Sequence, residues 1–148
     1  MEKAKIVIPI NAFIIKRKQK GVLKDVKMTL NNWILIHGMP HGRIVANTYK
    51  HKIQDRIIDV VSQSIVDGLP PIEEATTFNF DWYLPDRRTD LDNWTFTHKF
   101  MFDAFQNTTV RGIEFMPNDN LNYVHGLLDR FAGIDKENAR VEISWENS

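Results

Sequence analysis

Three aspartates in the second half of the chain have the residue type and the setting to bind a divalent cation. Asp90 and Asp92 lie in the run Asp-Leu-Asp-Asn, and Asp119 lies between two asparagines. If the backbone of that run is extended, side chains two residues apart share one face. Mg²⁺ prefers oxygen ligands, and it usually takes only one or two carboxylates and keeps water in its other positions. Three such carboxylates around Mg²⁺ could orient a phosphodiester and activate a water to hydrolyse it.

The same aspartates also fit a purely structural role. An aspartate that precedes a helix commonly serves as its N-cap, and acidic residues in the first turn interact favourably with the helix dipole. Asp119 has the neighbours of an ordinary turn residue. A calcium loop of the EF-hand kind is excluded, because the twelfth position counted from Asp90 is Met101 and the required glycine is absent. The local sequence therefore leaves helix capping and metal binding both open.

Charge is distributed unevenly along the chain, although the formal net charge is zero. Residues 1–56 hold 12 Lys and Arg with three acids, whereas residues 57–148 hold 7 Lys and Arg with 16 acids. A basic half can contact nucleic-acid phosphates while an acidic half collects divalent metal. The alternative is that folding mixes both halves over the surface. The candidate DNA contacts are Lys16, Arg17, Lys18, Lys20, Arg87 and Arg88.

Length and composition limit the classes of protein to which the chain can belong. A chain of 148 residues with 43% apolar side chains can bury one core but is too short for two, so we predict a single domain over residues 1–148. No apolar stretch approaches the roughly 18 residues that cross a membrane, and no signal peptide is recognisable. The chain has no cysteine, which excludes disulfides and thiolate chemistry. We expect a cytoplasmic protein without a membrane partner.

Hydrophobic periodicity predicts the elements that must position these residues. Runs of β-branched, aromatic or alternating residues predict strands over 5–16, 22–28, 76–84 and 139–145. Within the first strand, Pro9 indicates an edge position or a bulge. Apolar residues three and four apart predict helices over 46–66 and 93–106, the first closed by Gly68.

Three segments are left open or unstructured by the same patterns. Residues 29–37 fit either a short helix or an extended run, and the glycines and proline of residues 38–43 predict a loop. Residues 123–134 carry apolar spacings that suit a helix as well as a strand.

Three motifs occur together and in order. The first is Pro85-Asp-Arg-Arg-Thr-Asp-Leu-Asp-Asn93, the second is Lys99-Phe-Met-Phe-Asp-Ala104 on a predicted helix, and the third is Asn118-Asp-Asn120. With the strands that follow, residues 78–145 resemble the core of the RusA-like Holliday-junction resolvases. This combination is more specific than any of its parts, because a chance match to one motif would seldom bring the other two.

The resemblance implies a function and a set of site residues. The family's metal-binding aspartates fall on Asp90, Asp92 and Asp119, which would hold Mg²⁺ or, as an alternative, Mn²⁺. Its active-site lysine falls on Lys99, which lies three residues further from Asp92 than in the founding pattern, and Thr89 stands where that pattern has arginine. The implied protein is a metal-dependent endonuclease that cuts four-way DNA junctions as a homodimer.

The resemblance also implies an α+β fold, in which a small mixed β-sheet packs against two main helices within an intertwined homodimer. It makes residues 123–131 a strand that pairs with residues 139–145 through the turn at residues 135–138. Two other functions fit the residues. One is a branched-DNA binding protein of the same fold without catalysis, and the other is an enzyme that binds a sugar nucleotide through Asp90 and Asp92.

Overall fold

The computed structural model describes residues 4–148, and its main β-sheet has four strands. These strands are β1 (Lys5–Pro9), β4 (Thr76–Leu84), β7 (Val124–Ile134) and β8 (Arg140–Asn147). Their order across the sheet is β1, β8, β4, β7. Strand β8 pairs antiparallel with β1 and β4, and β7 pairs parallel with β4. The sheet is therefore mixed, as predicted.

The remaining elements are two small hairpins and the helices. The hairpins are β2 (Ile14–Gln19) with β3 (Val22–Lys27), and β5 (Thr109–Val110) with β6 (Ile113–Glu114). The helices are α1 (Leu30–His37), α2 (Gly42–Val66), α3 (Leu91–Thr95) and α4 (His98–Gln106), with one 3-10 turn at Ile10–Phe13. Among residues 4–148, no helix combines the length and the apolar character that crossing a membrane requires.

Strand β4 is the centre of the sheet, and its bounds are those predicted. Alternate side chains along it are buried, and Phe78, Phe80 and Trp82 are wholly inaccessible to solvent. Helix α4 covers this face, with the ring of Phe102 edge-on to that of Phe78 at 5.2 Å between centroids. Each such aromatic side chain contributes about 1.5–3 kcal/mol when it is buried. The aromatic alternation therefore fixes both the strand and the face that the helices cover.

The first predicted strand, over residues 5–16, is two strands separated by a turn. Strand β1 ends at Pro9, a 3-10 turn follows, and β2 begins at Ile14. Pro9 cannot donate a backbone hydrogen bond, and β1 is an edge strand that pairs only with β8, so the expected edge position is confirmed. Beyond the turn, Lys20 and Gly21 both have positive φ, at 49° and 80°, as in a type I′ hairpin. The predicted returning strand is confirmed as β3.

Helix α2 begins four residues before its predicted start. Residues 29–37, for which the sequence allowed either a helix or an extended run, contain helix α1. The two helices meet closely at Gly42. A Cβ atom at Gly42 would lie 2.0 Å from the carbonyl oxygen of Ile36, so only glycine fits there. The sequence around Gly42 predicted a loop without helix, whereas in the structure Gly42 permits the close approach of the two helix ends.

We expect Gly42→Ala to lower the free energy of unfolding by about 3 kcal/mol, because the added methyl group would collide with the α1 backbone. Urea denaturation measures the change. Gly38→Ala is the matched control, since its Cβ would have no neighbour closer than 3.6 Å. Equal stability of the two variants would contradict this account of the helix junction.

The second predicted helix, over residues 93–106, is divided into α3 and α4. The buried hydroxyl of Thr97 donates to the carbonyl oxygen of Trp94 at 2.6 Å, and the Thr97 backbone N–H donates to the same oxygen at 2.9 Å. These two bonds make a tight turn between the helices. The apolar stripe continues through the break, which explains why periodicity alone predicted one helix.

The predicted hairpin of residues 123–131 with residues 139–145 is wrong in its pairing. Residues 124–134 do form a strand, β7, but β4 lies between it and β8. The connection must cross two strand spacings, about 9.6 Å, which a tight hairpin turn does not span. It does so over the end of β4, where the Asp135 backbone N–H donates to the Leu84 carbonyl at 2.9 Å. Strand β4 therefore forms hydrogen-bonded ladders on both sides, with β7 on one side and β8 on the other.

Candidate metal and phosphate site

A polar cleft of about 440 Å³ lies where β3, α1 and the loop before α3 meet. Its walls are Asp25, Lys27, Thr29, Asn31, Asn32, Arg88, Thr89, Asp90 and Asn93. The backbone N–H of Asn31 donates to Asn93 Oδ1 at 3.1 Å, and Lys27 Nζ donates to Thr89 Oγ1 at 3.3 Å. These two bonds join the basic first part of the chain to the acidic second part. We call this space the polar cleft.

Asp90 and Asp92 lie at the start of α3. Asp90 is the N-cap residue, yet its carboxylate makes no capping hydrogen bond. Asp92 lies in the first helical turn, and both residues are exposed. The extended run that would place both carboxylates on one face is absent, because Asp92 already belongs to the helix. The Asp90 carboxylate is not used for capping and is therefore available to a cation.

Asp119 lies at the opposite end of β4 from Asp90. It is four residues before Tyr123, whose carbonyl accepts the backbone N–H of Thr76, the first residue of β4. Asp90 follows the other end of that strand, which has nine residues and is about 26 Å long. Within residues 4–148 of one chain, no three His, Asp or Glu side chains are grouped so that they could hold a metal ion. Asp90 and Asp92 thus lie two residues apart at the start of α3, where Asp90 lines the polar cleft and Asp92 does not, and Asp119 lies beyond the other end of β4.

Lys99 lies in the first turn of α4 and outside the polar cleft. Its side chain is exposed and makes no hydrogen bond or ion pair within the described residues. The residue three positions earlier, Phe96, packs against Trp33 and Phe100 at ring distances of 5.7 and 5.5 Å. An aromatic cluster therefore occupies the turn nearest Asp92, and the lysine is displaced along the chain.

The predicted DNA contacts form two groups near the polar cleft. Lys16, Arg17, Lys18 and Lys20 lie on the β2–β3 hairpin, and Arg87 and Arg88 lie on the loop before α3. Lys16 forms an exposed ion pair with Asp25 at 3.4 Å. Arg17 is held by a contact of its guanidinium with the Met39 sulfur at 3.2 Å, and Arg87 lies over the Phe131 ring at 5.1 Å. Among these six residues, Arg88 directly lines the cleft.

A second cleft of about 680 Å³ adjoins the first and adds cations that the sequence did not single out. Both clefts share Asp25, and the second is also lined by Lys16, Lys52 and Arg56. Arg56 is fixed by a hydrogen bond from Nη1 to the carbonyl of Ile14 at 2.8 Å. Lys52 and Arg56 fall on the polar face of α2, where periodicity explains them as solvent-facing residues.

A partly buried polar group that the sequence did not predict joins α4 to the sheet. Asp129 Oδ1 accepts hydrogen bonds from Trp82 Nε1 and is bonded to His98 Nε2, both at 2.8 Å. His98 also lies over the Phe80 ring at 4.3 Å. The three residues come from β4, α4 and β7, so their proximity depends on the strand order. This group connects the first residue of α4 to strands β4 and β7.

A charged network stabilises the end of the sheet nearest the cleft. Arg140 donates to Glu142 at 2.7 Å and to Asp135 at 3.0 Å, and its guanidinium lies 4.0 Å above the Tyr83 ring. The pKa of Glu142 is lowered by the hydrogen bond from Lys5 and next by that from Arg140, against the opposing effect of burial. Because this pKa is lowered in the folded state, its contribution to stability is present above pH 4.5 and is lost at lower pH.

No known family model matches this chain, and no curated protein matches it either. The relation to the RusA-like resolvases consequently remains a resemblance of motifs.

Proposed function

We propose that this protein is a Mg²⁺-dependent endonuclease that resolves four-way DNA junctions, or related branched DNA, by phosphodiester hydrolysis. The observation that carries the proposal is the polar cleft, where Asp90, whose carboxylate makes no capping hydrogen bond, lies among Lys27, Arg88 and several amide side chains. A site for a phosphodiester and its metal needs such carboxylates together with positive charge.

The three aspartates have the oxygen ligands that a hard divalent cation such as Mg²⁺ prefers. Asp90 and Asp92 offer carboxylate oxygens at the start of α3, and Asp119 offers a third. Bound Mg²⁺, or Mn²⁺ as the alternative, would supply an activated water and neutralise charge on the attacked phosphate. The protein's own part is to fix the carboxylates through the α3 start and the Trp94 side chain, which is buried beside Trp82.

The basic residues around the clefts fit the DNA backbone. The hairpin contributes Lys16, Arg17, Lys18 and Lys20, and the loop contributes Arg87 and Arg88. Arg88 lines the polar cleft with Asp90, and the hairpin that carries four of these cations contributes Lys27 to the same cleft, so an arm of the DNA bound to them would bring a phosphate to the aspartates. Such contacts supply affinity without sequence preference, and their strength falls as salt rises.

A homodimer is part of the proposal, and strand β7 is the surface that supports it. It is an edge strand of 11 residues with exposed Leu127, Leu128, Phe131 and Ile134. Long edge strands with apolar side chains pair readily with another chain. Antiparallel pairing of two β7 strands about a two-fold axis would lay the start of one strand beside the end of the other.

This pairing would also complete the carboxylate set. Asp119 precedes the start of β7, whereas the end of β7 lies beside the end of β4 that leads to Asp90. Asp119 of the partner subunit would then approach Asp90, although the two are far apart within one chain. The dimer would have two such sites, as two matched cuts in a two-fold symmetric junction require.

The alternative function is a branched-DNA binding protein of the same fold that does not cut. The exposed position of Lys99 outside the cleft favours it, because the resemblance assigns that lysine to the active site. This alternative predicts tight junction binding without nicking in Mg²⁺ or Mn²⁺.

The experiment is cleavage of a synthetic four-way junction, with a linear duplex of the same arms as control. We expect paired cuts in Mg²⁺ or Mn²⁺, none in EDTA, and none on the duplex, because the carboxylates need the cation to position phosphate and water. Binding without cuts in either ion would favour the alternative, and absence of binding would contradict both. We place this activity in the cytoplasm, in keeping with a chain that has no cysteine.

A further inference from the structure

One cation that lines the polar cleft with Asp90 comes from the other half of the chain. Lys27 is the last residue of β3, and it lines the cleft together with Asp90. Its Nζ donates to Thr89 Oγ1 at 3.3 Å and lies 5.9 Å from the centroid of the Trp94 ring. These contacts hold the ammonium group next to the residue that precedes Asp90.

The charge of Lys27 has no carboxylate partner within the described residues. Its hydrogen bond goes to a neutral hydroxyl, and the ion pairs of the hairpin involve Lys16 and Asp25 instead. The residue is half-buried, so its ammonium group has lost part of its hydration without gaining an opposite charge. An ammonium has three donors, and one bond to Thr89 leaves two for an anion. A phosphate oxygen in the cleft would supply the missing negative charge.

Lys99 is in a different position. It is exposed in the first turn of α4 and does not line the cleft. Phe96, three residues earlier, is the C-cap residue of α3 and is packed against Trp33 and Phe100. The lining of the cleft therefore favours Lys27 over Lys99 as the lysine that acts beside Asp90.

We propose that Lys27 binds a DNA phosphate beside Asp90 and stabilises the negative charge that develops on it, the role that the resemblance gives to Lys99. This proposal rests on the proposed endonuclease function. Lysine acts on phosphate as a compact point charge, which suits a narrow cleft that already holds a carboxylate. The phosphate would be held between Lys27, the exposed Asn31 side chain and Arg88.

The first test compares three variants in single-turnover cleavage of a four-way junction. Lys27→Met removes the charge but keeps an apolar stem against Trp94, Lys27→Arg restores the charge, and Lys99→Met removes the competing lysine. We expect Lys27→Met to cut on the order of 100-fold more slowly than wild type. Lys27→Arg should cut about tenfold faster than Lys27→Met, and Lys99→Met should cut at least about tenfold faster than Lys27→Met. A Lys27→Met rate within about threefold of wild type, or an equal loss in Lys99→Met, would overturn the proposal.

The second test does not depend on cleavage. Junction binding is measured in EDTA by fluorescence anisotropy as a function of salt, with thermal unfolding as the check that each variant is folded. Loss of one phosphate contact lowers the slope of log affinity against log salt by about one. We expect this reduction for Lys27→Met and a smaller one for Lys99→Met. If wild-type protein binds without cutting and Lys27→Met shows the reduction, the endonuclease proposal fails while the phosphate contact stands. An unchanged slope in folded Lys27→Met, or no binding by wild type, would overturn the contact.

Discussion

Asp92→Asn is expected to slow Mg²⁺-dependent junction cleavage by on the order of 1,000-fold or more, while junction affinity stays within about threefold of wild type. The substitution removes one negative charge and one cation ligand and keeps the shape of the side chain. The residue is exposed in the first turn of α3, so the variant should fold normally. Single-turnover cleavage and anisotropy, measured on one preparation, separate the two effects.

The matched control is Asp59→Asn, because Asp59 is an exposed aspartate on α2 and is not one of the three carboxylates assigned to the metal. Its cleavage rate should match that of the wild type. Equal cutting by Asp92→Asn and wild type would reject the metal assignment. Loss of junction binding together with cleavage would instead indicate that Asp92 maintains the α3 start.

Mixing two inactive variants is expected to restore activity if the carboxylate set is shared between two chains. Asp90→Asn and Asp119→Asn each inactivate both sites of their own homodimer. In the mixed dimer, one site receives both substitutions and the other receives neither. Random reassortment makes half of the dimers mixed, so roughly one quarter of the sites recover. The recovered product should be a single nick, because each active dimer has one intact site.

The control for this experiment mixes Asp90→Asn with Asp92→Asn. Both residues lie at the start of α3 in one chain, so every mixed site keeps one defect and no activity should return. Differently tagged chains, co-expressed and purified through both tags, would confirm that mixed dimers are present. If the Asp90→Asn and Asp119→Asn mixture stays inactive, pairing through β7 does not bring the two aspartates together.

Elements whose patterns are local can be predicted from the amino-acid sequence alone. The aromatic alternation of residues 76–84 predicted β4 to the residue, because a strand with one buried face must repeat every two positions. The apolar spacing before Gly68 predicted most of α2 for the corresponding helical reason. The basic turn and its returning strand were predicted as the β2–β3 hairpin, and Asp90 was placed correctly where a loop leads into a helix.

How these elements pack against one another depends on contacts between distant parts of the chain. Strand β4 lies between β7 and β8. This order depends on which strands pair with one another, and those strands are far apart in the sequence. The break between α3 and α4 depends on two bonds to the Trp94 carbonyl within an unbroken apolar stripe.

The candidate site shows the same division. The three aspartates were chosen by type and order, yet their separation along β4 could not be known before the sheet was assembled. Lys27 is more than 60 residues from Asp90 in sequence, and the fold brings it into the same cleft. Residue type and spacing determine which groups can do the chemistry. Their distances depend on long-range packing, which no local pattern encodes.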